Sequence, residues 1–436
     1  MTRMISAPGL TVPQGAALTI GAVLGTGVIS LPSLAAGIAG PASILTWLAL
    51  VLLSVPLAGT FAALGARFPD GGGVSTYVRM AFGAKAASMV GWCFYFAVPV
   101  GAPPAAMFVG GYVGDTIGGG RTTTLVTAAA LIVTVAVMNL YGVRISGRVQ
   151  LGLAAVLAAL LLITMVAAIP HARVSNLTPF APHGWSAIGP AAALLVWGFA
   201  GWEAVTSLSS DYRNPRRDIP RATVFAVVVI GVLYLGVVLS SLMVLGPDTG
   251  SSQAPLADLL VIGLGEPARG VTTLIALLLT VGAINAYFGG GARLGAALGR
   301  DGALPHWFAK GSGPGEVPRR SLAVITSMAL LALATTAVVG ADLQASVLLV
   351  TGSFTLVYVV GTAAAVRLLP RGTLAHTGAV VSLVAVTGLL VLTGRHVLLG
   401  AGVALAALAY EAAFARSSSA PNLDSPSRTL SERIAP

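Results

Sequence analysis

Apolar residues run along this chain in blocks of about twenty, each closed by a short polar, glycine or proline stretch, which is the length one helix needs to cross a bilayer. Twelve blocks meet that test, at positions 14–37, 41–66, 86–111, 122–141, 149–169, 185–210, 222–245, 271–294, 321–339, 343–366, 374–393 and 397–414. The pattern predicts an all-α integral membrane protein with about twelve transmembrane helices.

Two blocks depart from a plain helix. The first reads Gly21-Ala22-Val23-Leu24-Gly25-Thr26-Gly27-Val28-Ile29-Ser30-Leu31-Pro32, three glycines in seven residues with a proline five residues later. Gly leaves the backbone unrestrained and Pro removes a donor, so the expectation is two half-helices joined by an unwound stretch. The sixth repeats the device in Trp197-Gly198-Phe199-Ala200-Gly201-Trp202-Glu203. Five helices separate the breaks, and an odd number sends the second set through the membrane from the opposite side. The result is a 5+5 inverted repeat with broken helices 1 and 6 meeting at the midplane, plus two extra C-terminal helices. The expected organisation is a cytoplasmic N-terminus (1–12), a first repeat (13–170), a second repeat (185–366), the two added helices (374–415) and a disordered cytoplasmic tail (416–436). Such breaks offer N–H groups to an anion and carbonyls to a cation, which suits a zwitterionic amino acid and points to a secondary transporter.

Composition sharpens this. Only 9% of the 436 residues are charged, against about 25% in soluble domains, which excludes a soluble enzyme. The net charge of +10 could suggest nucleic acid, but the basic residues stand singly between apolar blocks. With the N-terminus inside, 20 of the 24 Lys and Arg fall in alternate inner loops and termini, and only Arg121, Arg173, Arg269 and Arg395 fall outside. Both termini are therefore predicted cytoplasmic, in a multi-pass protein of the cell membrane. The first block is too long for a signal-peptide core and is expected to be retained. Six charges between Asp211 and Arg221 read as a solvated inner loop that pairs its own charges. A lone Cys93 supports no disulfide framework, the five His show no metal-ligand spacing and no phosphate-binding loop occurs, so neither cofactor nor metal is expected. Intramembrane enzymes need clustered carboxylates or His, which the blocks lack; a membrane channel, the alternative of a different class, needs a continuous polar lining, of which they offer very little. Glu203 and Glu411 are the acids inside the blocks. Glu203, beside a break, is assigned to proton coupling or gating, with a structural hydrogen bond as its alternative; Glu411 is expected to reach toward water.

Five stretches in order resemble the amino acid-polyamine-organocation transporter superfamily: Gly25-Thr26-Gly27-Val28; Arg67-Phe68-Pro69-Asp70-Gly71-Gly72-Gly73 running on to Ala81-Phe82-Gly83; Asn139-Leu140-Tyr141-Gly142-Val143-Arg144; Asn214-Pro215-Arg216-Arg217-Asp218-Ile219-Pro220-Arg221-Ala222; and Arg300-Asp301-Gly302-Ala303-Leu304-Pro305. Leu24-Gly25-Thr26-Gly27-Val28 and Met80-Ala81-Phe82-Gly83 are most similar to the bacterial exporters of methionine and branched-chain amino acids. Uptake permeases and exchangers share the fold and most of these motifs.

The resemblance implies that N–H groups around Gly25, Thr26 and Gly27 hold the substrate carboxylate and that carbonyls at Val23, Trp197 and Ala200 meet the amino group. Gly201 belongs to the same break, Trp197 matches a gating aromatic, and Glu203 matches the family's acid in helix six. Ala97, Val98 and Ala102 stand where relatives for cationic substrates keep polar residues. Tyr287 gives an aromatic wall and Asn285 a polar contact. Neutral apolar amino acids of the methionine, leucine, isoleucine and valine class follow, exported by alternating access with H+ as coupling ion. The fifth block lacks the Lys that stands in for sodium in several proton-dependent relatives, and Thr280 is a poor sole sodium ligand. Substrate and membrane lipid are the implied partners; nothing in the sequence sets an oligomeric state.

Overall fold

A computed structural model describes residues 10–69, 73–142, 147–203, 206, 209–313 and 316–415. The tail at 416–436, Arg3 and Arg144 lie outside the described residues. Within them the regular structure is helical, with one isolated bridge between Leu10 and Tyr212.

The first block forms α1 (Val12–Leu24) and α2 (Leu31–Ala39), separated by six residues of turn. Next come α3 (Ser43–Arg67), α4 (Val74–Phe82), α5 (Ala84–Ile117), α6 (Gly120–Leu140), α7 (Gly147–Ala168) and α8 (Ile188–Phe199), which ends at the second break. The remainder holds α9 (Pro215–Leu245), α10 (Pro255–Leu264), α11 (Pro267–Arg300), α12 (Arg319–Val339), α13 (Leu343–Leu368), α14 (Leu374–Thr393) and α15 (Val397–Ala415).

Nine helical stretches among the described residues are long and apolar enough to cross a membrane by length and composition. They fall short of twelve for two reasons. The halves α1 and α8 are too short to count, and α14 with α15 forms one uninterrupted stretch. Two short helices, α4 and α10, were not predicted; they lie in loops where the twenty-residue window has nothing to detect. The charged run before block seven is also corrected. Pro215 opens α9, so 215–221 is its first two turns rather than a loop, with Arg216, Arg217 and Arg221 exposed and Ile219 buried. Pro lacks only an N–H that a first turn leaves unpaired, and Asp218 accepts from the Asn214 N–H at 3.3 Å while its charge suits the positive helix end.

α5 is the central element. It packs against α6, α11, α13, α15, α12 and α4, and nineteen of its 34 residues are buried. Pro99, Pro103 and Pro104 interrupt its hydrogen-bond ladder midway, beside Gly101 and Ala102. Cys93 packs there as a buried thiol against the Gly400 carbonyl, and Glu411 is half-buried near the end of α15. Two motif loops meet at one end of α5: Trp92 Nε1 donates to the Ala303 carbonyl at 2.7 Å, and Arg79 lies 3.7 Å from Asp301.

Candidate functional site

The two breaks lie against each other. A Cβ on Gly27 would stand 3.2 Å from the Gly198 Cα and 2.9 Å from Leu31 Cδ1, and one on Gly201 would stand 3.0 Å from the Ala22 carbonyl. Such spacing leaves no room for a side chain at either position. Gly201 also needs its φ of +122°, and Gly25 its φ of +34°, which L side chains rarely adopt.

α1 ends where the Gly25 N–H donates to the Gly21 carbonyl at 3.2 Å, and bonding resumes with Val28 N–H to Leu24. Between them the N–H groups of Thr26 and Gly27 have no backbone acceptor among the described residues. The three donors expected around Gly25, Thr26 and Gly27 therefore reduce to two, because Gly25 already caps α1.

The second break works through side chains. The Gly201 N–H donates to Glu203 Oε2 at 2.9 Å and lies 3.1 Å from the Tyr358 hydroxyl, which itself donates to Glu203 Oε2. Glu203 is 8% exposed, and the Phe199 carbonyl lies 3.3 Å from the same Tyr358 hydroxyl. The carboxylate is held by two donors in a low-dielectric interior, the arrangement that makes a buried acid tolerable.

Val23, Gly25, Thr26, Gly27, Ala97, Ala102, Trp197, Ala200, Tyr287 and Glu203 all line one cavity of about 620 Å³, joined there by Val98 and Asn285. Gly201 does not line it: its missing side chain lets the break pack on Ala22 and Val23 instead. Thr280 does not line it either, and its hydroxyl is buried without a partner among the described residues. Beyond the breaks the lining comes from 91–105 in the middle of α5 and 282–294 on α11, and reaches the turn at Gly73 and Arg293. The cavity thus extends from the breaks to the side where α1 begins. On the other side Trp197 meets Phe108 edge to face, ring centroids 5.9 Å apart, and the Tyr112 hydroxyl donates to the Ile29 carbonyl at 2.6 Å.

Several site features had no signal in the linear pattern. Tyr234, fully buried on α9, places its hydroxyl 2.9 Å from the Val23 carbonyl and 2.6 Å from the Gly198 carbonyl, sharing one proton between the two breaks. One lone pair of Val23 is thereby engaged, and the Trp197 carbonyl already accepts from the Ala200 N–H at 3.3 Å. Tyr358 and Phe354 on α13 likewise read as ordinary helix residues until the fold brings them to Glu203 and to the cavity. Asn139, quoted only as a motif residue, donates through Nδ2 to Asn285 Oδ1 at 2.8 Å across α6 and α11.

Comparisons with known proteins bear on this site. Residues 10–417 match the family model described as amino acid permease. The chain is 33% identical over 362 residues to an uncharacterized amino acid permease, YecA, of Bacillus subtilis (strain 168), covering 82% of this chain and 84% of the relative. It is 30% identical over 366 residues to the L-methionine/branched-chain amino acid exporter YjeH of Escherichia coli (strain K12), covering 83% and 86%. The crystal structure of MhsT in complex with L-phenylalanine aligns with a TM-score of 0.59 at 14% identity, over 87% of this chain and 97% of that one, which shows a shared fold.

Proposed function

The chain belongs to the amino acid permease family, a multi-pass membrane transporter of amino acids and not an enzyme, and on that premise we propose that its cavity carries neutral, apolar L-amino acids of the methionine, leucine, isoleucine and valine class. The observation that carries the reading is one cavity combining the Thr26 and Gly27 N–H groups, which have no backbone acceptor among the described residues, with apolar walls of Ala97, Val98, Ala102 and Phe354. Glu203 is the one acid among the described lining residues and sits at the break, whereas Ala97, Val98, Ala102 and Phe354 are apolar, so a cationic side chain packed against those walls would be buried without a polar partner. The carboxylate goes to Thr26 and Gly27, and the amino group to the remaining lone pairs at Val23, Trp197 and Ala200. Tyr287 closes the wall. The name of YjeH supports this substrate class and export as the direction; the phenylalanine bound by MhsT supports an apolar side chain in a shared fold.

Protons are the proposed coupling ion, acting through Glu203. Ionised, the carboxylate accepts from Gly201 and Tyr358. Protonated, it gains a donor and loses an acceptor site, and the Tyr358 hydroxyl can turn its own proton to the Phe199 carbonyl. A single proton therefore changes the bonding of the break that α8 ends in, which is how it would bias α1 and α8 as they rock in alternating access. Both termini are assigned to the cytoplasm. The basic residues support this, and two outer cations are held by the protein itself: Arg121 donates to carbonyls of Thr336, Gly340 and Ala341 at the end of α12, and Arg269 pairs with Asp115, Asp258 and Glu266.

The test is counterflow in proteoliposomes loaded with unlabelled leucine or methionine, compared with arginine and putrescine, with and without a pH gradient. Label should accumulate with leucine and methionine alone and respond to the gradient. Equal accumulation with arginine would overturn the substrate class, and indifference to the gradient would overturn the coupling.

A further inference from the structure

Resting on the reading that the cavity carries neutral, apolar amino acids, we propose that Asn285 selects among them by donating a hydrogen bond to an acceptor in the substrate side chain, the thioether sulfur of methionine, and that Asn139 is the positioning residue that turns the Asn285 amide toward it.

Asn285 is 5% exposed, yet it lines the cavity. Its neighbours in the α11 lining include Gly282, Ala286, Gly289 and Gly290, small residues that leave the amide unscreened. Six residues further along α11, about 9 Å at roughly 1.5 Å per residue, a Cβ on Gly291 would stand 3.2 Å from Val98 Cγ2. α11 packs chiefly on α5, α10, α12 and α6, and α1 chiefly on α9 and α7. The Asn285 amide therefore enters the cavity beside the apolar walls that α5 supplies at Ala97, Val98 and Ala102, and not from the break that offers Thr26 and Gly27.

The way the amide faces follows from its partner. Asn139 Nδ2 donates to the Val135 carbonyl at 3.0 Å and to Asn285 Oδ1 at 2.8 Å. A carbonyl only accepts, so the Asn139 group facing Val135 is its NH2, and the Asn285 atom facing that NH2 is its oxygen. Both Asn139 donors are thereby used. Asn285 is left with two N–H donors that have no acceptor among the described residues, on a side chain that lines the cavity. Such a group recognises an acceptor. Leucine, isoleucine and valine end in hydrocarbon and offer none, whereas methionine carries a sulfur that accepts weakly. Water bonded to the amide is displaced as a substrate side chain enters. A hydrocarbon then leaves the N–H groups without a partner, and the thioether restores one bond.

The experiment measures the concentrations of methionine, and of norleucine with a methylene in place of the sulfur, that halve counterflow of labelled leucine in proteoliposomes, with melting temperature recorded in parallel. Wild-type protein is expected to favour methionine about threefold, the lower end for one neutral hydrogen bond because sulfur accepts weakly. Asn285→Leu should bring the ratio to about one, and Asn285→Gln, which keeps the amide, should retain a preference. Asn139→Asp, ionised, offers Asn285 an acceptor where Asn139 offers a donor, so the Asn285 amide turns over, presents Oδ1 to the cavity and loses the preference although Asn285 itself is unchanged. A residue that merely filled space would shift methionine and norleucine alike. Equal potency of the two on wild-type protein would overturn the selection without any variant and leave the transport reading intact. A preference that survives Asn285→Leu would also overturn it, and one that survives Asn139→Asp would remove the positioning role. If folded wild-type protein exchanges neither leucine nor methionine, the transport reading fails first and the selection falls with it.

Discussion

Between α1 and α2 the chain presents the N–H groups of Thr26 and Gly27 with no backbone acceptor among the described residues, whereas after α8 the Gly201 N–H is satisfied by Glu203 and the Tyr358 hydroxyl. Both breaks border the same cavity and both depend on glycine for close approach. They differ in what they can do. Peptide N–H groups do not titrate near neutral pH, so the first break can recognise an anion but cannot report a proton. A carboxylate can gain or lose a proton and exchange its hydrogen-bond partners when it does. Under the proposed function, recognition falls to the first break and response to the second, and the Tyr234 hydroxyl joins the two through the Val23 and Gly198 carbonyls.

The largest effect should come from closing the first break. Gly27→Val introduces atoms where even a Cβ lies 2.9 Å from Leu31 and 3.2 Å from Gly198, so it wedges α1 and α8 apart and displaces the two donors. Binding of labelled leucine in detergent should fall by at least about a hundredfold, with roughly 1–3 kcal/mol of lost stability from overpacking. Wild-type-like binding would remove the site from this break.

At the second break, Glu203→Gln keeps the shape and removes the titration. Accumulation driven by a pH gradient should drop about tenfold, while exchange without a gradient stays within about threefold, because a general-acid contribution of about a hundredfold or more is not being asked of this residue. If the gradient response persists, Glu203 is a structural acceptor for Gly201 and the contrast between the breaks disappears.

Tyr234→Phe cuts the link between the two. It leaves two buried carbonyls sharing one partner fewer, a cost of about 1 kcal/mol, so substrate affinity should weaken about fivefold in equilibrium binding with little change in pH response. A changed pH response with unchanged affinity would place Tyr234 with the second break instead. The smallest effect is expected from Thr26→Val, which keeps the backbone N–H and removes a hydroxyl; leucine affinity should fall no more than about threefold, within the roughly 0.5–1.5 kcal/mol of one hydrogen bond. A loss as large as that of Gly27→Val would mean that the hydroxyl, and not the backbone, holds the carboxylate.

The helices themselves were legible because each is a continuous apolar run, and the block at 374–393 coincides with α14 residue for residue. The breaks were legible because Gly and Pro mark them directly. Where the pattern lost its grip, the cause was local. α4 and α10 are short amphipathic or capped segments that a window of twenty residues passes over, and the start of α9 was hidden by charges that a first helical turn exposes to water. Within the site, Thr26, Gly27 and Glu203 carried a signal because a glycine cluster and an acid are rare in apolar runs. Tyr234, Tyr358 and Asn139 carried none, since a polar atom on a helix says nothing about the partner it will meet.

Sequence alone determined that this chain crosses a membrane many times, that two helices are interrupted, and that an acid stands at the second interruption. Those properties follow from composition and from the conformational limits of Gly and Pro, which act over neighbouring residues. Only the tertiary structure decided that Gly25 caps α1 and leaves two donors instead of three, that Gly201 packs on α1 rather than facing the cavity, and that Arg293 shares that cavity with Glu203. Each depends on atoms brought together from positions far apart in the chain, because a hydrogen bond or a close contact is fixed by distance in space.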